Sequence, residues 1–321
     1  MVGADGIEPP TAGCKSEPDR LPRLVRCHGV LKCTGQGLVR VHCVHGTGWS
    51  QDADISVSRR GVDIGRGQQF ACLITTAVGG WPFVVLWGTA AVVVYWEWSS
   101  MVARQGKVTL LAGGMALVFA AAESGLGHAA YAAAAVAAGA IIVAALARRR
   151  RLWCAGGVIY AGVLAVAPVV IRLDRPYGAV AVFFLFAVVW ASDIFGYFIG
   201  RLVGGPKLAV RISPKKTWAG AFGGAAGAMV AGVGLMSAVG YAGLGFPGST
   251  ALALSIVSQC GDLLESAVKR RFGVKDASHV IPGHGGLMDR LDGFLIAALA
   301  AVLIGIIHEG AAAPARGLLV W

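Results

Sequence analysis

The chain has 321 residues, 56% hydrophobic and only 14% charged, with a mean hydropathy of +0.68 and a formal net charge of +11. That balance excludes an ordinary soluble domain, and the positive charge needs no nucleic acid to explain it, because polytopic membrane proteins carry excess Lys and Arg in the loops of one face. The expected fold class is all-α: a polytopic integral membrane helical bundle of about eight transmembrane helices.

Residues 1–68 lack this character. Cys14, Cys27, Cys33 and Cys43 stand here with His28, His42 and His45, but without the paired spacing of a zinc site, and no signal peptide accompanies them to favour disulfides. With no amphipathic periodicity either, the segment reads as a poorly ordered atypical extension, of the kind a misplaced start or a shifted reading frame leaves. The apolar run from Phe70 to Val78 is about half the ~20 residues a crossing helix needs, like the back of a span whose front is missing. The transmembrane domain is expected over 69–321.

From Pro82 onward hydropathy predicts spans near 82–102, 107–123, 129–147, 154–172, 178–200, 217–243, 247–270 and 291–308. Gly- and Ala-rich stretches such as Ala219–Gly234 permit close helix contact in lipid. Gly220-x2-Gly223-Gly224 is packing of this kind, since no strand precedes it as a nucleotide-binding turn would require. Glu97, Glu123, His128 and Arg172 fall near span ends and read as interfacial. Cys72, Cys154 and Cys260 read as small buried hydrophobes.

Every second loop is basic: Arg104 and Lys107, Arg148 to Arg151, Arg201 to Lys216, and Lys269 to Arg290. The intervening loops are nearly free of Lys and Arg, so the basic set is expected on the cytoplasmic side.

Gly261 to Gly293 interrupts the apolar pattern. Of the ten acidic residues beyond Ala71, five lie here: Asp262, Glu265, Asp276, Asp289 and Asp292. Asp262, Glu265, Ser266 and Lys269 recur at i, i+3, i+4 and i+7, one face of a helix, and Asp289 and Asp292 repeat the i, i+3 relation at the start of the next span. Ionisable groups at membrane depth are costly unless they line a cavity, pair or bind ions, so chemistry is expected in this stretch. The plainer alternative, a positive-inside anchor with acidic partners, accounts for the arginines but leaves Asp262 and His284-Gly285-Gly286 without a use.

From Ser266 to Asp292 the sequence reads Ser266-x-Val268-Lys269-Arg270-x4-Lys275-Asp276-x-Ser278-x2-Ile281-Pro282-x-His284-Gly285-Gly286-Leu287-x-Asp289-Arg290-Leu291-Asp292. This resembles the signature of phosphatidate cytidylyltransferases, the CDP-diacylglycerol synthases, over 27 consecutive positions. Two further stretches extend the resemblance: Trp190 to Arg201, with Asp193 followed by Gly, aromatic residues and Gly-Arg, and Ser213-Pro214-Lys215-Lys216-Thr217-Trp218, where Ala219 replaces the family's usual Glu.

The resemblance implies a nucleotidyltransferase that joins CTP and phosphatidate into CDP-diacylglycerol and pyrophosphate, at the inner (plasma) membrane with its site facing the cytoplasm. It implies Mg²⁺, with a second, monovalent cation as an option, and a homodimer as an open oligomeric choice. The nucleophile is already anionic, so the demand is for cations that suppress repulsion between phosphates rather than for a strong base. On that footing Asp262, Asp289, Asp292 and Asp193 are the expected metal ligands. Asp193 is equally readable as a polar residue paired with Arg201. Lys269 and Arg290 join Asp262, Asp289 and Asp292 as catalytic residues. Ser213, Lys215, Lys216, Thr217, Ser266, Arg270, Lys275, His284, Gly285 and Gly286 are expected to bind substrate, Thr217 at a helix start whose backbone donors are free. His284 reads as a phosphate donor or as structural. The competing function is a polytopic transporter of an anionic solute, which would favour an internal repeat that the halves do not display.

Overall fold

The computed structural model describes residues 59–103, 105–241, 243, 245–278 and 285–320, with five short strands before them. Met1–Val57 forms one compact unit and Ser58–Trp321 another. In the first unit, β1 (Leu31–Cys33), β2 (Val39–Val41) and β5 (Ala53–Ile55) pair in the order β1-β2-β5, and β3 (Val44–His45) pairs with β4 (Gly48–Trp49), all antiparallel. Of the expected poorly ordered extension over 1–68, residues 59–68 are helical, in α1, and apart from the five strands the rest lies outside the described residues.

The second unit is a helical bundle. Its elements are α1 (Arg59–Val78), α2 (Gly80–Val102), α3 (Lys107–Gly125), α4 (Ala129–Leu146), α5 (Arg151–Leu173), α6 (Gly178–Leu202), the hairpin β6 (Lys207–Ala209) and β7 (Ser213–Thr217), α7 (Trp218–Ala238), α8 (Gly245–Arg271), α9 (Met288–Glu309) and the short α10 (Pro314–Leu319). Among the described residues seven helices, α3 to α9, are long and apolar enough to cross a membrane. The eighth expected span is α2, 23 residues long, which carries Glu97 and falls outside those seven. Only Gln69–Val78 of α1 is an apolar helix, and it is too short to cross alone.

Sequence neighbours pack as antiparallel partners, because short loops leave them little choice. α3 lies on α4, α6 on α7 and α8 on α9, while α5 runs through the middle against α2, α4, α6 and α9. α5 is correspondingly the most buried span, with 61% of its apolar window inside. Polar side chains tie the bundle at the far end from the basic loops. Arg172 donates to the Thr76 carbonyl at 2.7 Å, closing the end of α1, and Asp174 accepts from the backbone of Ala315 and Arg316 at the start of α10. Cys72 and Cys154 are buried as expected, whereas Cys260 is exposed on the outer face of α8.

Candidate active site

Gly261 lets α8 and α9 touch. A β-carbon there would sit 3.0 Å from the Asp292 carbonyl oxygen and 2.9 Å from the Ile296 side chain, so any larger residue would force the helices apart. The close crossing sets the polar face of α8 against the first turns of α9. The Asp292 carboxylate lies against those of Glu265 and Asp262, and Lys216 reaches across from β7 to pair with Asp262. Lys269 Nζ is 2.7 Å from Asp289 Oδ1 and 3.2 Å from Glu265 Oε1. The second contact is ionic without hydrogen-bond alignment: both Glu265 oxygens are buried and neither has a hydrogen-bond partner among the described residues.

Asp262, Glu265 and Asp292 therefore crowd negative charge together with too few aligned donors, an arrangement that a shared proton or a cation between the groups would relieve. Hard carboxylate oxygens suit Mg²⁺. Among the described residues no three His, Cys, Asp or Glu side chains have already closed into a metal site. The fit rests on the orphaned Glu265 oxygens and the three abutting carboxylates.

Asp289, expected as a ligand, is occupied differently. Besides Lys269 it accepts from Ala277 N at 3.0 Å and Gly286 N at 2.8 Å, so it grips both ends of the signature loop. Glu97 grips the same two ends from α2. It is wholly buried and accepts from Ser278 Oγ at 2.6 Å, Leu287 N at 2.9 Å and Met288 N at 2.7 Å, which also satisfies free donors at the start of α9. A β-carbon on Gly286 would lie 2.8 Å from Glu97 Oε1, so the glycine is what admits the carboxylate. The interfacial reading of Glu97 is corrected: it is a positioning residue for the loop.

Two hollows meet at Asp193 and Asp262. The first, about 410 Å³, is lined by Asp262, Asp289, Arg290 and Asp292 and walled by Phe186, Trp190 and Phe294. Those rings belong to a stack in which Trp87 lies 4.8 Å from Phe294, Phe294 5.0 Å from Phe186, and Phe186 5.2 Å from Trp190. The second hollow, about 670 Å³, lies under the β6–β7 hairpin and is lined by Arg201, Lys207, Lys215 and Lys216 along with Thr217. Antiparallel pairing of Lys207 with Thr217 and Ala209 with Ser213 aligns these bases. Gln259, whose Nε2 reaches Ala221 O at 3.3 Å and Ser255 Oγ at 3.2 Å, ties α7 to α8 beside them.

The remaining expected residues scatter around this centre. Asp193 lines both hollows, and Arg201 bonds Tyr197 Oη at 3.2 Å rather than Asp193. Thr217 is the N-cap of α7, its buried hydroxyl accepting from Gly220 N at 3.1 Å. That donor is therefore taken, which corrects the free-donor expectation. Ser213 lies at the far end of the hairpin register and lines neither hollow. Ser266 is half-buried on α8, while Arg270 and Lys275 are exposed. Gly285 takes a φ of +80° beside Asp289, a conformation open to glycine. His284 lies outside the described residues.

Sequence reasoning passed over Glu265 and Glu97. Glu265 shared the helical face of Asp262 but received no role. The signal for Glu97 was an acid within an otherwise apolar helix, which seldom occurs without a partner.

Comparison with known proteins agrees with this geometry. Residues 68–307 match the cytidylyltransferase family. A phosphatidate cytidylyltransferase of Brucella abortus biovar 1 (strain 9-941) is 53% identical over 158 residues, 49% of this chain and 58% of the relative. That of Bacillus subtilis (strain 168) is 38% identical over 139 residues, covering 43% and 51%, and that of Mycobacterium leprae (strain TN) 45% identical over 128, covering 39% and 40%. The chain thus spans about half the length of the curated relatives it matches. With three quarters of its residues inside the family match, and its carboxylates and lysines gathered at one helix crossing, the chain belongs to the cytidylyltransferase family.

Proposed function

We propose that the protein is a phosphatidate cytidylyltransferase, working at the cytoplasmic face of a bacterial inner membrane. The observation that carries this reading is the pair of hollows sharing Asp193 and Asp262: one walled by stacked aromatic rings and acids, the other ringed by lysines and an arginine. An apolar wall suits the diacylglycerol end of a lipid phosphate. A basic pocket suits a triphosphate.

In the reaction, an oxygen of the lipid phosphate forms a bond to the α-phosphorus of CTP. The bond from that phosphorus to the oxygen bridging to the β-phosphorus breaks, and pyrophosphate leaves with the electron pair. Lys207, Lys215 and Lys216 hold the triphosphate and offset the charge of the leaving group, while Arg290, in the first hollow, orients the lipid phosphate. Lys216 does so while paired to Asp262, which keeps the triphosphate beside the carboxylates. Asp289 and Glu97 fix the loop between α8 and α9. Asp262, Glu265 and Asp292, with Asp193 opposite, would hold Mg²⁺, which when bound supplies the positive charge that lets two phosphates approach. The transporter alternative gains nothing from the family membership.

The test is to give protein reconstituted in vesicles labelled CTP, phosphatidate and Mg²⁺. Labelled CDP-diacylglycerol with stoichiometric pyrophosphate is expected. Uptake of a solute without lipid product would sink the proposal.

A further inference from the structure

A second basic hollow lies away from the carboxylates, where α3 and α5 begin. It encloses about 940 Å³, and Lys107, Arg148, Arg149 and Arg150 line it opposite an apolar wall that includes Val108 and Leu146; no acid lines it. That volume falls within the ~300–1,000 Å³ of small-ligand sites. Among the described residues none of these four bases has a carboxylate partner.

The bases also gather at two helix starts. Both helices begin without a side-chain cap, α3 after Gly106 and α5 after Arg150, so free backbone donors at two helix starts lie beside consecutive arginines. Arg150 holds a left-handed φ of 52°, a strained conformation in a residue other than glycine. Its guanidinium is committed, donating to Val102 O at 2.6 Å and lying 4.9 Å over the Phe272 ring. This fixes the turn and leaves the Arg148, Arg149 and Lys107 side chains as donors without acceptors among the described residues.

We propose that this hollow binds the phosphate of an anionic membrane phospholipid, at a site distinct from the carboxylate hollow. The phosphate oxygens accept from Lys107, Arg148 and Arg149, and the apolar wall takes the glyceryl and first acyl segments. The membrane-spanning helices α3, α4 and α5 end here, at the depth of a headgroup, which with the apolar wall favours a lipid over a free phosphate ion.

The site needs nothing of the proposed reaction, so binding rather than turnover tests it. Full-length protein in neutral detergent is titrated with short-chain phosphatidylglycerol, short-chain phosphatidylcholine and inorganic phosphate, and bound ligand is counted by native mass spectrometry. One saturable phosphatidylglycerol is expected, with phosphatidylcholine failing to compete. Arg148→Gln with Arg149→Gln weakens it about tenfold or more, in line with the contribution of each base near an anionic headgroup. Arg148→Lys with Arg149→Lys retains most of the affinity, and Lys107→Gln alone gives a smaller loss if the double glutamine variant does not fold. Asp262→Asn leaves binding unchanged, which separates this site from the carboxylates. Wild-type affinity in the glutamine variants would overturn the proposal, and so would inorganic phosphate displacing the lipid at equal affinity.

Discussion

At the scale of single residues, the carboxylates divide into those that hold structure and those left without matched donors among the described residues. Glu97 and Asp289 spend their oxygens on donors at the two ends of the signature loop, and hydrogen bonds to a charged group contribute ~1.5–3 kcal/mol each. Glu97→Ala should therefore loosen the loop, lowering kcat for CDP-diacylglycerol at least tenfold while the KM for CTP moves little. Glu97→Gln, which keeps the shape and one acceptor, should recover part of that kcat; a glutamine variant no better than alanine would mean the loop does not depend on this side chain. Glu265 is the opposite case, with two buried oxygens lacking hydrogen-bond partners. Glu265→Gln should raise the Mg²⁺ concentration for half-maximal activity about tenfold or more, with the melting temperature hardly lowered. If Mg²⁺ dependence stayed the same and only stability fell, Glu265 would be a partner of Lys269 and not a ligand.

At the scale of elements, hydropathy located α2 to α9 because lipid exposure demands long apolar runs, and that demand is written locally in the chain. What hydropathy does not record is which helix lies opposite. The Glu97 contacts join positions about 190 apart, and they exist only because α2 packs beside α5 and α9. Thr217 shows the same limit: a threonine before an apolar run signals a cap as readily as an anion site, and here its hydroxyl caps α7 while the residue also lines the basic hollow. Thr217→Ala should cost ~1 kcal/mol of stability, seen as a lower melting temperature, and should spare CTP affinity if the hydroxyl only caps α7. Lys216→Met is the contrasting change on the same hairpin. It removes the partner of Asp262 and one wall of the basic hollow, so KM for CTP should rise several-fold or more, and an unchanged KM would place the nucleotide elsewhere.

At the scale of the whole molecule, the boundary between the two units bears on which part performs the reaction. Contacts divide the chain after Val57, and the family match begins at residue 68, while every carboxylate and lysine of the candidate site belongs to the second unit. Contacts within the bundle tie its first helix down: Arg172 of α5 binds the Thr76 and Ala77 carbonyls at the end of α1, and Gln69 and Cys72 line the first hollow. Removing residues 1–57 should therefore leave a protein that inserts in the membrane and makes CDP-diacylglycerol at a kcat within about twofold of the full chain, whereas removing 1–78 should abolish the product. The second deletion takes away one side of the hollow and strands the Arg172 guanidinium, whose hydrogen bond to the carbonyl of buried Thr76 is of the order of ~1.5–3 kcal/mol. Equal loss in both deletions would assign the first unit a part in folding or catalysis that its composition does not announce.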